Sequence, residues 1–197
     1  MQIKKIFSES DNLLLSWGYD LWDEYVKIIN FANIPNNSII LEFGTGSGRA
    51  LTILNQLGYS VVSIDYDGTQ IAKAKAKLDE INANNYIIIQ NNFFDLNIPE
   101  NSVEFIICGN VLHETEQAKE LLFLMLRLLK RGGNLLLWDF NNKGFEIMNK
   151  LHNVIYKNNH NEGNLRINDV LEIIAKDSFV IKKFYTELNE VLLIERV

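Results

Sequence analysis

Nine consecutive residues, Leu41-Glu42-Phe43-Gly44-Thr45-Gly46-Ser47-Gly48-Arg49, restrict what this chain can fold into more than any other stretch. The short apolar run from Ser38 to Phe43 reads as a strand buried on both faces. It ends in three glycines at alternate positions. Arg49 to Leu57 then reads as a helix, closed by Gly58 as its C-terminal cap. Glycines at such a junction admit positive φ and let another molecule lie against bare main chain. The first free N–H groups of the helix point into the same space. A strand that hands over to a helix in this way suits an α/β sheet with a ligand beyond the strand's carboxyl end.

Strand and helix alternate along the rest of the chain. Val61 to Asp65 is a second buried strand. Thr69 to Ile81 is a helix, with Ile71, Ala74, Leu78 and Ile81 at spacings of three and four. Tyr86 to Gln90 and Val103 to Cys108 are the third and fourth strands. Glu116 to Lys130 reads as a helix ended by Arg131-Gly132-Gly133, and Asn134 to Phe140 as the fifth strand. Lys143 to Lys157 and Ile167 to Lys176 read as helices. Phe179 to Glu187 and Glu190 to Arg196, parted by Leu188-Asn189, read as an antiparallel hairpin. The expected fold is a Rossmann-like, doubly wound α/β sheet of seven strands, mostly parallel, with an antiparallel C-terminal hairpin. The loops after residues 43, 65, 90, 108 and 140 then face the ligand.

The chain has 197 residues, a length that suits one domain. Two prolines and no biased segment leave no visible linker. Asp+Glu is 25 against Lys+Arg 19, and the net charge of −6 argues against a nucleic-acid or anionic-lipid partner. The single cysteine, Cys108, excludes an internal disulfide framework and a multi-cysteine metal site. No apolar run approaches the roughly 18 residues of a membrane span. The first residues turn polar too soon for a secretion signal, so a cytoplasmic protein is expected.

Two carboxylates flank the glycine loop in sequence. Glu42, at the end of the first strand, either holds a cation or sits in an ordinary salt bridge. Asp65, at the end of the second, can take both hydroxyls of a ribose. Asp67, in the turn Asp65-Tyr66-Asp67-Gly68, suits a structural role. In the dinucleotide fingerprint the third glycine comes three residues after the second. Here that position is Arg49, and this spacing together with Glu42 weakens a NAD-dependent oxidoreductase reading.

Together these residues resemble class I methyltransferases that use S-adenosylmethionine, over about residues 36–140. Glu42, Gly44, Gly46 and Gly48 fall on that family's acidic glycine-rich motif, and Asp65 on its ribose-binding acid. Gln90 to Glu104 resembles the segment between the third and fourth strands. Asn92 stands where the family usually has an aspartate for the adenine amino group, and an amide oxygen also accepts. Phe93 either lies against the adenine or packs in the core. Cys108-Gly109-Asn110-Val111-Leu112-His113-Glu114 matches the loop that borders the methionine portion and the acceptor. Arg127 to Leu135 resembles the helix end and glycine turn before the fifth strand. The resemblance implies S-adenosylmethionine as cofactor, held by Glu42, Gly44, Thr45, Gly46, Gly48, Asp65, Tyr66, Asn92, Phe93 and Asn110.

The expected function is methyl transfer to a small-molecule acceptor. His113 is the candidate general base, or a histidine that packs beside the cofactor without proton chemistry. Glu114 either takes part or caps the helix that follows. Asp139 either faces the acceptor or makes a structural hydrogen bond. No metal site is expected, because a zinc-protease helix beginning at His113-Glu114 needs histidine where Gln117 stands. Residues 1–35 are expected to form a helical lid on a cofactor-binding core of residues 36–140. Residues 141–197 complete the single domain. Trp22 and Tyr25 suit the core, whereas Trp17 and Tyr19 either pack there or cover the pocket mouth. A methyltransferase-like domain that binds without turnover is the alternative from another class. The oligomeric state is not legible.

Overall fold

The computed structural model describes residues 2–174 and 178–197. Seven strands form one sheet: β1 Ile39–Phe43, β2 Ser60–Asp65, β3 Tyr86–Gln90, β4 Val103–Gly109, β5 Leu129–Phe140, β6 Phe179–Tyr185 and β7 Asn189–Arg196. Seven α-helices accompany them among the described residues: α1 Glu9–Ser16, α2 Leu21–Phe31, α3 Arg49–Gln56, α4 Gly68–Glu80, α5 Ala118–Leu128, α6 Asn142–Ile155 and α7 Ile167–Ile173.

The strand order is β3-β2-β1-β4-β5-β7-β6. All neighbours are parallel except β7, which runs antiparallel to β5 and β6. The chain winds outward from β1 to β3, then returns to place β4 on the other side of β1. The β1/β4 boundary is therefore where strand order reverses, and the place for a ligand is beyond the carboxyl ends there. Phe43 is level with Ile64 and with Cys108, so Gly44, Asp65 and Gly109 emerge at one height.

Continuous apolar strands are explained by burial on both faces. Leu41, Phe43, Ile106, Cys108, Leu135 and Leu137 point to the side covered by α5 and α7. Their neighbours Ile40, Phe105, Ile107, Leu136 and Trp138 point to the side covered by α2 and α3. A third cluster joins Leu14 of α1, Leu21 of α2 and Phe145, Met148 and Leu151 of α6. The β3–β4 connection carries a single 3₁₀ turn, Phe93–Asp95, and no α-helix. That leaves Ile87 and Ile89 of the edge strand β3 exposed.

Most element bounds fall within two residues of the sequence expectation, with one larger correction. α5 stops at Leu128 and β5 starts at once, at Leu129, where a glycine turn is expected. Val103 pairs with Leu129 but Phe105 with Asn134, so residues 130–133 bulge opposite one residue of β4. Gly132 has φ +75°, and a Cβ on Gly133 would lie 2.8 Å from the Lys130 carbonyl oxygen and 2.9 Å from that of Val103. The glycines thus serve a bulge inside the strand rather than a turn before it. The hairpin turn lies before Asn189 and is held from α2. There Glu24 accepts the Leu188 N–H at 3.0 Å and the Thr186 hydroxyl at 2.7 Å. Residues 175 and 176, expected to end a helix, lie outside the described residues.

Candidate cofactor site

A cavity of about 270 Å³ opens at the β1/β4 boundary. Its walls come from the loops after β1, β2 and β4, from Phe93, from Trp138 of β5 and from Tyr25 of α2. The three glycines of the loop have positive φ but different tasks. A Cβ on Gly44 would lie 2.2 Å from Val111 Cγ2, and one on Gly48 would lie 2.8 Å from the Ala74 Cα. Those two are glycine because protein packs against them. A Cβ on Gly46 meets nothing within 4 Å, so this residue keeps open space open. Lys77 of α4 holds the loop from behind, its Nζ donating to the Ser47 carbonyl oxygen at 2.7 Å. Burial, and then the charge of Arg49, pull the Lys77 amine below its ordinary pKa.

Glu42 reaches the floor of the cavity and is 2% exposed. The Ser63 hydroxyl donates to its Oε2 at 2.5 Å, and Thr45 Oγ1 lies 2.6 Å from the Ser63 oxygen. Burial pushes the carboxyl pKa up to about 8; the Ser63 hydrogen bond opposes this, and the nearby Asp65 charge adds to it. Asp65 lines the same cavity. Its Oδ2 accepts the Gly46 N–H at 2.7 Å and its Oδ1 accepts the Asp67 N–H at 2.9 Å. Asp67 caps α4 by accepting from the Thr69 and Gln70 N–H groups, which is the structural role its turn suggests.

Of the other sequence candidates, Thr45, Tyr66, Phe93, Asn110 and Glu114 also line the cavity. Phe93 does two things at once, meeting Phe43 edge-on at 5.4 Å while closing the cavity wall. Gly48 stands behind the lining. Asn92 is exposed and turned away; its Oδ1 accepts the Phe94 N–H and so caps the 3₁₀ turn.

His113 and Asp139 are together but lie behind the wall. His113 Nδ1 is 2.5 Å from Asp139 Oδ1, and Asp139 also accepts the His113 and Phe140 N–H groups. His113 is 1% exposed, and its Nε2 has no hydrogen-bond partner. That atom lies 3.8 Å from Glu114 Oε1, and Glu114 does face the cavity. His160 packs against His113, ring centres 4.9 Å apart, and His160 Nδ1 lies 3.1 Å from His152 Nε2. Burial, followed by the two neighbouring histidines, lowers the His160 pKa to about 3. No group of three or more metal-ligating side chains converges among the described residues. Trp17 and Tyr19 pack with α6, under Lys150 and Lys143, and leave the cavity mouth uncovered.

Tyr25, Arg49 and Trp138 line the cavity although sequence reasoning gave them no such place. Arg49 opens α3, where the helix dipole disfavours a cation. That anomaly is the signal that could have found it. Its Nη2 donates to Asp11 Oδ1 of α1 at 2.5 Å, and its guanidinium sits 5.0 Å from the Tyr25 ring centre. Trp138 meets Tyr25 edge-on at 5.2 Å and extends over Gly109, where a Cβ would lie 2.0 Å from the indole. Asn110 Nδ2 donates to the Tyr25 hydroxyl at 3.0 Å. Three buried polar atoms on this wall have no partner: Arg49 Nε, Trp138 Nε1 and Asn110 Oδ1. Open main chain at Gly46, carboxylates at Glu42 and Asp65, and unpartnered donors at Arg49 and Trp138 fit a nucleoside that carries an amino-acid tail.

This sheet order, with its glycine-loop cavity at the switch point, matches the Rossmann-like methyltransferase fold. Residues 41–137 match the family model of the methyltransferase domain. That match covers just under half of the chain and gives it a methyltransferase domain over those residues. The ubiquinone/menaquinone biosynthesis C-methyltransferase of Cronobacter sakazakii is 28% identical over 146 residues, 72% of this chain and 57% of that protein. An uncharacterised methyltransferase of Geobacillus is 26% identical over 129 residues, 62% of this chain and 59% of that protein. The chain thus spans less than two thirds of the length of these relatives. Among solved structures, the YcgJ protein of Bacillus has a TM-score of 0.68 at 14% identity, covering 89% of this chain and 99% of that one. A methyltransferase from Aquifex aeolicus has a TM-score of 0.66 at 17% identity, covering 88% of this chain and 90% of that one. No helix among the described residues is long and apolar enough to cross a membrane.

Proposed function

We propose that this chain transfers the methyl group of S-adenosylmethionine to a small-molecule acceptor. The observation that carries the reading is the open main chain at Gly46, set between the carboxylates of Glu42 and Asp65 at the switch point of the sheet. The bound cofactor supplies a methyl group already activated on a sulfonium. The protein's own work is then to bind, align and exclude water, and orientation of this kind is worth about 7–11 kcal/mol. Gly46 leaves room for the nucleoside side of the ligand. Asp65 keeps lone pairs for ribose hydroxyls beside its two main-chain bonds. Phe93 offers a ring face to the base. Glu42, held neutral by burial, becomes a counter-charge when a cation arrives. Residues 1–35 supply Tyr25 to the cavity wall and Asp11 behind Arg49, and so form one side of the site rather than a cover over it, beside a core of residues 36–140.

Where the acceptor must lose a proton, Glu114 is the cavity-facing group placed to take it. His113 stands behind Glu114 and Asp139 behind His113, so those two act as positioning residues. The net charge of −6 supports a small acceptor over nucleic acid or anionic lipid. One observation favours the alternative of binding without turnover: His113 and Asp139 do not line the cavity. Thermal shift with S-adenosylhomocysteine and, separately, NAD tests the cofactor, and only the former is expected to raise Tm. Conversion of S-adenosylmethionine to S-adenosylhomocysteine in the presence of a low-molecular-weight metabolite pool tests turnover. A Tm raised by NAD alone overturns the reading.

A further inference from the structure

The chain has three histidines, and all of them meet behind the cofactor cavity. The His160 ring stands between the other two, its centre 4.9 Å from that of His113 and 4.5 Å from that of His152, with Phe140 and Phe145 closing its sides. His160 belongs to residues 156–166, which join α6 to α7 without a helix or strand of their own. This segment is seated on the loop after β4. The Asn161 side-chain amide donates to the His113 carbonyl oxygen at 3.0 Å, and a Cβ on Gly163 would lie 2.4 Å from the His113 Cα, so main chain meets main chain there. Toward α6, the His160 N–H donates to Asn149 Oδ1 at 2.8 Å. His160 is 8% exposed, although residues 157–159 and 161–162 around it are open to solvent.

Among the described residues no carboxylate bonds to His160 or His152. Asp139 is engaged by His113 and by two main-chain N–H groups, and Glu114 Oε1 lies nearest His113 Nε2. His152 turns its Nδ1 to Asn158 and its ring to Tyr156. Arg166, stacked on Phe145, is paired with Glu162. A positive charge on His160 would therefore meet two other imidazoles and no acid. Burial, followed by His113 and His152, holds its pKa at about 3, against 6.5 for an ordinary histidine. The seated segment thus binds this proton far more weakly than a released one. By linkage, seating is complete above about pH 6.5, and its equilibrium constant falls by about tenfold for each pH unit below that, down to about 3. We propose that His160 is a positioning residue and a proton-sensitive latch: neutral, it seats residues 156–166 against the His113 main chain and so holds Glu114 at the cavity, and protonated it releases them. The inference gives the proposed methyltransferase site a control by pH, and it rests on that reading only for the effect on turnover.

Amide hydrogen exchange on the full chain, corrected for the intrinsic effect of pH on exchange, reads the latch directly. Between pH 6 and 5, protection of residues 156–166 and 111–115 should fall by about tenfold while the buried strand β1 stays protected. His160→Phe keeps a ring, His160→Gln keeps a hydrogen-bond partner for His152, and neither takes up a proton in this range. In whichever variant folds, protection of both segments should stay level from pH 6 to 5. Methyl transfer to the metabolite pool, followed as S-adenosylhomocysteine formation, should decline over the same range in the natural protein and less steeply in the variant. Protection that does not change with pH in the natural protein, or that falls equally in a folded variant, overturns the latch. The expected exchange pattern in a protein without turnover upholds the latch and counts against the methyltransferase reading instead.

Discussion

Replacing Glu42 by glutamine isolates a buried proton. Burial raises the Glu42 carboxyl from 4.5 to about 8. The folded state therefore holds this proton more tightly than the unfolded chain. The resulting stabilisation is complete below about pH 4.5 and is lost as pH rises through about 8. With those two values, linkage removes about 2–3 kcal/mol of stability between pH 5 and 7 and about 1 kcal/mol more between pH 7 and 9. Glutamine has the shape of the protonated acid, and its oxygen can still accept from Ser63, but it does not ionise. Urea unfolding of both proteins at pH 5, 7 and 9 should show the natural protein losing those amounts relative to Glu42→Gln. Parallel pH profiles would refute the buried, neutral carboxyl. The same proton reports on binding. A cationic ligand end stabilises the carboxylate, so S-adenosylhomocysteine should release protons from the natural protein near pH 7. Calorimetry in buffers of different ionisation enthalpy should detect that release and find less of it in Glu42→Gln.

Gly46→Ala should abolish S-adenosylhomocysteine binding while costing only about 1–2 kcal/mol of stability from its left-handed φ, whereas Gly44→Ala should fail to fold because Val111 fills its space. Calorimetry and circular dichroism distinguish the two. Asp65→Ala should weaken S-adenosylhomocysteine by about 1–3 kcal/mol and also lower the urea midpoint, since the Gly46 and Asp67 N–H groups lose their acceptor. An unchanged dissociation constant counts against its ribose role. Glu24→Ala should destabilise by about 1–3 kcal/mol for each donor it strands at the β6–β7 turn, with cofactor affinity intact, measured by urea titration and calorimetry.

Topology was legible because both faces of the sheet are covered. A strand such as Ser38–Phe43 must then be apolar without alternation, and a glycine run at its end marks the switch point. The start of β5 was not legible. Lys130-Arg131-Gly132-Gly133 has no periodicity, and it joins the strand only because Leu129 before it and Asn134 after it both pair with β4. The hairpin was legible, but its turn sits one to two residues earlier than Leu188-Asn189, where Glu24, 164 residues from Leu188 in sequence, holds it. Within the site, residues that touch the cavity through main chain or a strand end, such as Gly46 and Asp65, could be read directly. Those whose place depends on which way a loop turns could not. Asn92 and His113 both stand next to cavity residues, yet one caps a 3₁₀ turn and the other lies behind the wall. Arg49 could have been found from the mismatch between its charge and its helix end.

The bare flank of β3 bears on how this protein behaves when concentrated. From Asn84 to Asn92 the chain reads Asn-Asn-Tyr-Ile-Ile-Ile-Gln-Asn-Asn, nine residues without a charge or a proline, and the strand at its centre is one of the two edges of the sheet. Its unpaired main-chain groups and its exposed Ile87 and Ile89 lack the lysine, proline or covering helix by which edge strands ordinarily repel their own kind. Self-association by strand addition should therefore begin here, and a single Ile87→Lys gatekeeper, remote from the cavity, should raise solubility without touching ligand affinity.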